Sequence, residues 1–436
     1  MTNQSTAREG LRLPFSVIAK PTGAACNLDC SYCFFLSKEV LWGHESQRMT
    51  SGTLDRFVHD YLASQPDGEV TISWQGGEPT LRGLEFFEEA VRLAERHRRP
   101  GQRVSQTIQT NGTLLDDAWG EFLAANRFLV GLSVDGPAHL HDRYRVNKAG
   151  RGSYSQVRRG WDVLRRHDVE TNILCTVHAG NAAHPLDVYR HFRDELGARY
   201  LQFIPIVERV EPGCDADAER GYRDEHGNSV LYRQSGSGTT SRTVAPEAWG
   251  EFLCAIFDEW IRRDVGEVFV QHFDVMLGAV FGQYTLCVHS PECGRAVAME
   301  HNGDVYSCDH YVEPDYRLGN VSESPFSELL ALPQQQAFGR GKRTSLPGQC
   351  VECPVRWACH GGCPKDRFAT TAAGEPGLNY LCAGYYRFFT HAQPSVEAMA
   401  RLLRNGRTAA DIMGVAPVEG VPAPDRPTRP ERAGST

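Results

Sequence analysis

No apolar run in this 436-residue chain approaches the roughly 18 residues that a bilayer-spanning helix needs. The opening stretch, MTNQSTAREGLRLPF, has no positive start followed by an apolar core, so a secretory signal is not expected. Basic residues are in the minority: 46 Lys and Arg stand against 54 Asp and Glu, for a net charge of −8. With no long basic patch, a nucleic-acid partner is not expected. No internal repeat is visible, which argues against a solenoid or propeller. These absences together predict a soluble, cytoplasmic protein with neither nucleic acid nor membrane as partner.

What the chain does have is cysteine, 14 of them. A reducing cytosol disfavours structural disulfides, so clustered cysteines there point to metal binding or redox chemistry. Residues 14–207 alternate between apolar or β-branched runs and amphipathic helical patterns. FSVIAK, EVTISWQ, VSQTIQT, FLVGLSVDG, TNILCTVHA and RYLQFIPIV read as strands. SGTLDRFVHDYLAS, GLEFFEEAVRLAERHRR, DDAWGEFLAAN, SYSQVRRGWDVLRRH and PLDVYRHFRDELG read as helices. Six strands separated by helices predict an α/β fold with a parallel sheet, open or partly closed into a barrel. In such sheets the ligand sits at the carboxyl ends of the strands.

Residues 211–245 break the rhythm. They are polar and Gly/Ser-rich and read as a long excursion or lid. The helix PEAWGEFLCAIFDEWIRRD follows, then short cysteine-rich elements over about 268–390. From 415 the chain is Pro-rich and expected to be disordered. The predicted units are a tail at 1–13, a core at 14–210, the excursion and linking helix at 211–267, a cysteine-rich domain at 268–395, and a final helix and tail at 396–436.

Eleven cysteines fall into three sets. Cys26, Cys30 and Cys33 follow the first strand with spacing C-x3-C-x2-C. Cys287, Cys293 and Cys308 form the second set. Cys350, Cys353, Cys359 and Cys363, with Cys382 beyond, form the third. Cys175, Cys214 and Cys254 are isolated and read as buried or incidental thiols. Thiolates at such spacing bind zinc or iron–sulfur clusters. The eight C-terminal cysteines suffice for two four-ligand sites. The first set has no fourth cysteine. A four-iron cluster held by three cysteines leaves one iron open for inner-sphere chemistry.

The C-x3-C-x2-C loop after the first strand of a (β/α)6 pattern resembles the radical S-adenosylmethionine (SAM) enzymes. WQGGEP, with Gly76, Gly77 and Glu78, matches that superfamily's GGEP element. The resemblance implies that glycine lets backbone approach the SAM methionyl group and that Glu78 accepts from its ammonium. Cys293, Gly303 and Cys308, the run Cys350–Cys363 and Cys382 resemble the SPASM extension, which carries two auxiliary [4Fe–4S] clusters. The implied fold is therefore a partial (β/α)6 radical SAM barrel followed by a cysteine-rich SPASM domain.

More narrowly, CNLDCSYCFF, SWQGGEPTLRGLEFF, QTNGTLLDDAWGEFL, VGLSVDGPAHLHDRYR, LQFIPIVER, NGDVYSCDHYV and CHGGCPKDRF are similar to the anaerobic sulfatase-maturating enzymes over about residues 14–395. Those enzymes oxidise one cysteine or serine of a sulfatase to Cα-formylglycine. The resemblance implies three [4Fe–4S] clusters. Cys26, Cys30 and Cys33 would hold the SAM cluster. Cys287, Cys293, Cys308 and Cys363 would hold one auxiliary cluster, and Cys350, Cys353, Cys359 and Cys382 the other. SAM contacts would fall on Phe35, Gly77, Ser133, Arg145 and Val207. Phe35 and Val207 stand where the family pattern carries tyrosine and leucine, and the 211–245 excursion is longer than that pattern. Implied partners are a sulfatase polypeptide bearing a C/S-x-P/A-x-R motif and an electron donor such as flavodoxin or ferredoxin.

Asp309, directly after Cys308, falls where the family places its catalytic base. A carboxylate there can take the thiol or hydroxyl proton as an electron leaves the substrate. His139, His141 and His310 read as polar surface or supporting groups rather than ligands. Two rivals remain on sequence grounds. One is another SPASM peptide maturase that forms thioether or carbon–carbon crosslinks. The other is a zinc-stapled binding protein without catalysis.

Overall fold

The computed structural model describes residues 14–43 and 46–414. The N-terminal tail at 1–13 and the Pro-rich segment from 415 lie outside the described residues.

The six apolar runs form strands in the expected order. They are β1 (Ser16–Ala19), β2 (Gly68–Trp74), β3 (Gln102–Thr110), β4 (Leu129–Ser133), β5 (Thr171–Val177) and β6 (Tyr200–Pro205). All neighbours are parallel, and the sheet runs β1-β2-β3-β4-β5-β6. Helices cover it because each crossover carries an apolar stripe and a start signal. Thr50 caps Ser51–Ser64 by accepting from Thr53 N, and Asp116 caps Asp117–Ala125 by accepting from Trp119 N. Phe57, Tyr61, Trp74 and Phe87 pack as one aromatic group beneath them.

The sheet does not stop at the barrel. The described residues also include β7 (Arg209–Val210), β8 (Gly238–Thr239), β9 (Phe269–Val270), β10 (Ala296–Met299), β11 (Asp304–Tyr306) and β12 (Arg317–Asn320). Strand β10 pairs in parallel with the free edge of β1, and β11 and β12 follow antiparallel. Strand β9 closes the other edge beside β6, giving ten strands in one sheet. A four-residue β1 would otherwise expose a row of unpaired backbone groups. Its pairing with β10 welds the cysteine-rich segment to the strand that feeds the Cys26 loop.

The 211–245 excursion is anchored rather than free. β7 and β8 pair, and Val210, Ala218, Tyr222 and Tyr232 form a small apolar cluster of their own. The buried Lys38 ammonium donates to Tyr232 O at 2.6 Å. Arg242 is buried against Glu208, with Nε to Oε2 at 2.9 Å. The polar composition therefore describes its solvent side only. The C-terminal helix also differs from expectation. It runs unbroken over Cys382–Arg404 through Pro394, so the boundary expected at 395 falls inside it. No helix among the described residues is long and apolar enough to cross a membrane.

Candidate active site and cysteine sets

After β1 the chain turns sharply, and two backbone bonds clamp the turn to the GGEP loop. Gly77 N donates to Gly23 O at 2.8 Å and Glu78 N to Ala25 O at 2.9 Å. The contact is so close that a Cβ on Gly77 would lie 2.1 Å from Ala25 O. Only glycine permits it, as the motif implied. Gly76 sits at φ +139 against Gly23 O.

Cys26, Cys30 and Cys33 come together in this loop, each feeling the charge of another, and none is in a disulfide. Burial and then the Glu78 carboxylate push the Cys26 thiol up to about 12. Its sulfur accepts from Leu28 N at 3.4 Å and from Asn111 Nδ2 at 3.8 Å. Burial raises Cys30 too, opposed by the Arg145 guanidinium beside it. Three converging thiols, a glycine cradle against them and no disulfide fit a cluster with one open iron.

The Glu78 carboxylate is fully buried. Oε1 accepts from Thr80 N, Thr80 Oγ1 and Thr110 Oγ1 at 3.0, 2.6 and 2.7 Å, and Oε2 accepts from Asn111 N at 2.7 Å. These bonds tie the loop after β2 to the end of β3 and leave Oε2 with one lone pair. Ser133 ends β4 and accepts from Gln109 Nε2 at 3.0 Å. Arg145 is bound to buried Asp135 at 3.0 Å. Asp135 also accepts from Tyr32 and from Thr176 N. Phe35 and Val207 are both buried, and Phe35 lies beneath Lys20, whose Nζ is 3.8 Å from the ring centroid.

The histidines divide. His139 is exposed. His141 is fully buried and bonded to Ser153 Oγ at 3.0 Å, a core group rather than a surface one. His310 packs on Phe34, with ring centroids 5.5 Å apart.

Among the eight C-terminal cysteines, mutual fields sort two groups. Burial raises Cys308, and Cys363 and Cys287 raise it further. Cys293 likewise feels Cys287. Cys359 instead feels Cys382, Cys350 and Cys353. These last four line one small pocket, with Val355, Arg356, Asn379 and Tyr386. Cys363 thus faces away from its neighbours in sequence. Among the described residues no three His, Cys, Asp or Glu side chains gather at single-ion spacing. Two cations, the buried Lys342 and the half-buried Arg367, escaped the sequence reading. Lys342 feels Cys363, Cys287 and Cys293, and its Nζ donates to Val288 O at 2.9 Å. Arg367 feels Cys350, Cys363, Cys359 and Cys293. Both are placed to offset thiolate charge.

Asp309 follows Cys308 into a short turn, Asp309–Tyr311. Its Oδ1 lies 2.5 Å from Lys20 Nζ. The contact is one of charge rather than an aligned hydrogen bond, since Oδ1 has no partner of good geometry. Burial pushes the carboxyl up, but Lys20, His310 and Lys38 together more than reverse that and hold it below its ordinary range. An ionised, partly exposed carboxylate beside a thiol set can accept a proton.

A parallel barrel, a three-cysteine loop and a second cysteine-rich segment define a radical SAM enzyme with an added iron–sulfur domain. The corresponding family models match: the radical SAM superfamily over residues 21–191 and an iron–sulfur cluster-binding domain, SPASM, over 291–354. The chain belongs to the anaerobic sulfatase-maturating enzymes. It is 44% identical over 402 residues to a serine-type anaerobic sulfatase-maturating enzyme of Bacteroides thetaiotaomicron, covering 92% of this chain and 94% of the relative. A cysteine-type enzyme of Clostridium perfringens is 31% identical, covering 90% and 100%. The solved structure of native anSMEcpe with bound AdoMet and Cp18Cys peptide superposes with TM-score 0.75 at 31% identity, covering 89% of this chain and 99% of that one.

Proposed function

We propose that this enzyme oxidises a cysteine or serine of a sulfatase to Cα-formylglycine, using SAM and three [4Fe–4S] clusters. Cys26, Cys30 and Cys33 hold the cluster that binds SAM. Cys287, Cys293, Cys308 and Cys363 hold a second, and Cys350, Cys353, Cys359 and Cys382 the third. When bound, these groups supply a 5′-deoxyadenosyl radical at one end and an electron acceptor at the other. Phe35, Gly77, Ser133, Arg145 and Val207 bound the SAM pocket. The clamp between Gly77 and the turn at Gly23 keeps that pocket tight against the cysteine loop.

Asp309 receives the substrate proton. Loss of a Cβ hydrogen atom, one proton and one electron converts the substrate's C–S or C–O single bond to a double bond; serine gives formylglycine directly, whereas cysteine gives a thioaldehyde that water hydrolyses to formylglycine with release of hydrogen sulfide. Asp309 would take the proton, while the groups held by Cys26, Cys30 and Cys33 and by the set containing Cys308 would supply the acceptors for the hydrogen atom and the electron. The substrate is a sulfatase segment with a C/S-x-P/A-x-R motif, and a flavodoxin or ferredoxin supplies the reducing electron.

The observation that carries this reading is the partly exposed Asp309 carboxylate next to Cys308, with Oδ1 2.5 Å from Lys20 Nζ. The test is anaerobic turnover of a motif peptide by wild type and Asp309→Asn, with formylglycine followed by mass spectrometry and 5′-deoxyadenosine by chromatography. The variant should keep its iron and form 5′-deoxyadenosine. Its formylglycine should fall by about 10²–10⁴-fold, the usual cost of a lost general base. Equal formylglycine yield would exclude Asp309.

A further inference from the structure

We infer that Lys20 is a positioning residue for this oxidation: its ammonium pins one oxygen of Asp309 and leaves the other for the substrate proton. The inference rests on Asp309 being the base. Lys20 is the first residue after β1, and its N–H continues the ladder to Met299 O at 2.9 Å. The pairing of β1 with β10 therefore fixes its backbone. The side chain is 1% exposed. A buried ammonium there has two carboxylates within its field, Asp309 and Glu300.

The geometry chooses between them. Nζ lies 2.5 Å from Asp309 Oδ1, whereas the ion pair recorded for Glu300 is with His301, Nδ1 to Oε2 at 3.6 Å. If Lys20 served only to neutralise a core carboxylate, the fully buried Glu300 would be the group in greater need. The ammonium instead pairs with Asp309, and the Phe35 ring, 3.8 Å from Nζ, adds a cation–π contact that restrains it. Asp309 keeps 14% of its side chain exposed. Because Oδ1 is buried, Oδ2 is the oxygen open to an incoming thiol or hydroxyl.

The test compares Lys20→Met, Lys20→Gln, Lys20→Arg, Asp309→Asn and the Lys20→Met/Asp309→Asn double variant, all as anaerobic holoenzymes. Iron content, SAM binding and the ratio of formylglycine to 5′-deoxyadenosine are measured on each. Crystal structures of wild type and Lys20→Met report the carboxylate position independently of turnover. Lys20→Met should keep its iron and bind SAM, with Asp309 displaced. Its product ratio should fall on the order of 10²-fold, the cost of about 1 Å of misplacement. Lys20→Arg, which keeps the cation, should recover most of the ratio, and the double variant should fall no further than Asp309→Asn. A wild-type ratio in Lys20→Met overturns the inference. So does iron loss from both Lys20→Met and Lys20→Gln, which would make the lysine a support of the fold. A wild-type ratio in Asp309→Asn would instead remove the base assignment itself.

Discussion

Replacing Gly77 with alanine should disable SAM cleavage while sparing the C-terminal clusters. The added methyl would sit 2.1 Å from Ala25 O, 2.5 Å from Ala25 C and 2.6 Å from Ala24 O. All three are backbone atoms, so no side-chain rotation relieves the clash. Restoring even a tight contact of 3.0 Å moves the Cys26 turn by close to 1 Å relative to the GGEP loop. That shift breaks the Gly77 N to Gly23 O and Glu78 N to Ala25 O bonds, and it displaces the residue just before Cys26. A misplacement of about 1 Å typically costs on the order of 10²-fold in rate. The assay is 5′-deoxyadenosine formation under anaerobic conditions, alongside iron analysis and far-ultraviolet circular dichroism. The variant should fold, retain at least the iron of its C-terminal cysteine sets, and cleave SAM about 10²-fold more slowly. Cleavage at the wild-type rate would refute the view that the glycine clamp sets the geometry of the cysteine loop.

Cys363→Ala should alter the same electron paramagnetic resonance signal as Cys293→Ala; a spectrum matching that of Cys353→Ala would refute the interleaved grouping. Arg242→Ala leaves Glu208 buried with Thr240 as its remaining side-chain partner, and should cost about 3–5 kcal/mol. Limited proteolysis should then cut first within 211–245, and an unchanged cleavage pattern would show that Arg242 does not anchor the excursion. Burial pushes the His272 imidazole down to about 4. Its folded form therefore resists protonation that the unfolded chain accepts below about pH 6.5. Stability should be unaffected by this group above that pH and should decline as pH falls from 6.5 towards 4. The thermal midpoint of His272→Gln should depend less steeply on pH over that window, and an equal slope in both proteins would count against the argument.

Much of the site was legible in the sequence because its chemistry is local. Cys26, Cys30 and Cys33 share one turn, and so do Gly76 and Gly77. Their spacing reports a ligand set and a close approach without further folding. The six strands were legible for a similar reason: runs of β-branched and apolar residues alternated with helical periodicity in a regular order. Glu78 shows the limit of that reasoning. The motif alone does not reveal that Thr80, Thr110 and Asn111 already bond this carboxylate. The excursion shows the same limit from the other side. Its composition is polar, yet Tyr222 and Tyr232 are buried in a cluster of its own, with Phe34 of the cysteine loop packed against them.

By itself the sequence determined the cysteine chemistry, the parallel core and the place of Asp309 beside a thiol. Only the tertiary structure decided which long-range partners complete them. Lys20 and Asp309 are brought to 2.5 Å because β10 pairs with the exposed edge of β1, a contact between segments far apart in the chain. Arg145 meets Asp135 at the loops beyond β4. Cys363 comes within the field of Cys308 and Cys287, a proximity the family resemblance had implied. The physical reason is common to all three. Burying a charge or a thiol demands a partner within a few ångströms, and which residue arrives there is set by strand pairing and helix packing rather than by spacing along the chain.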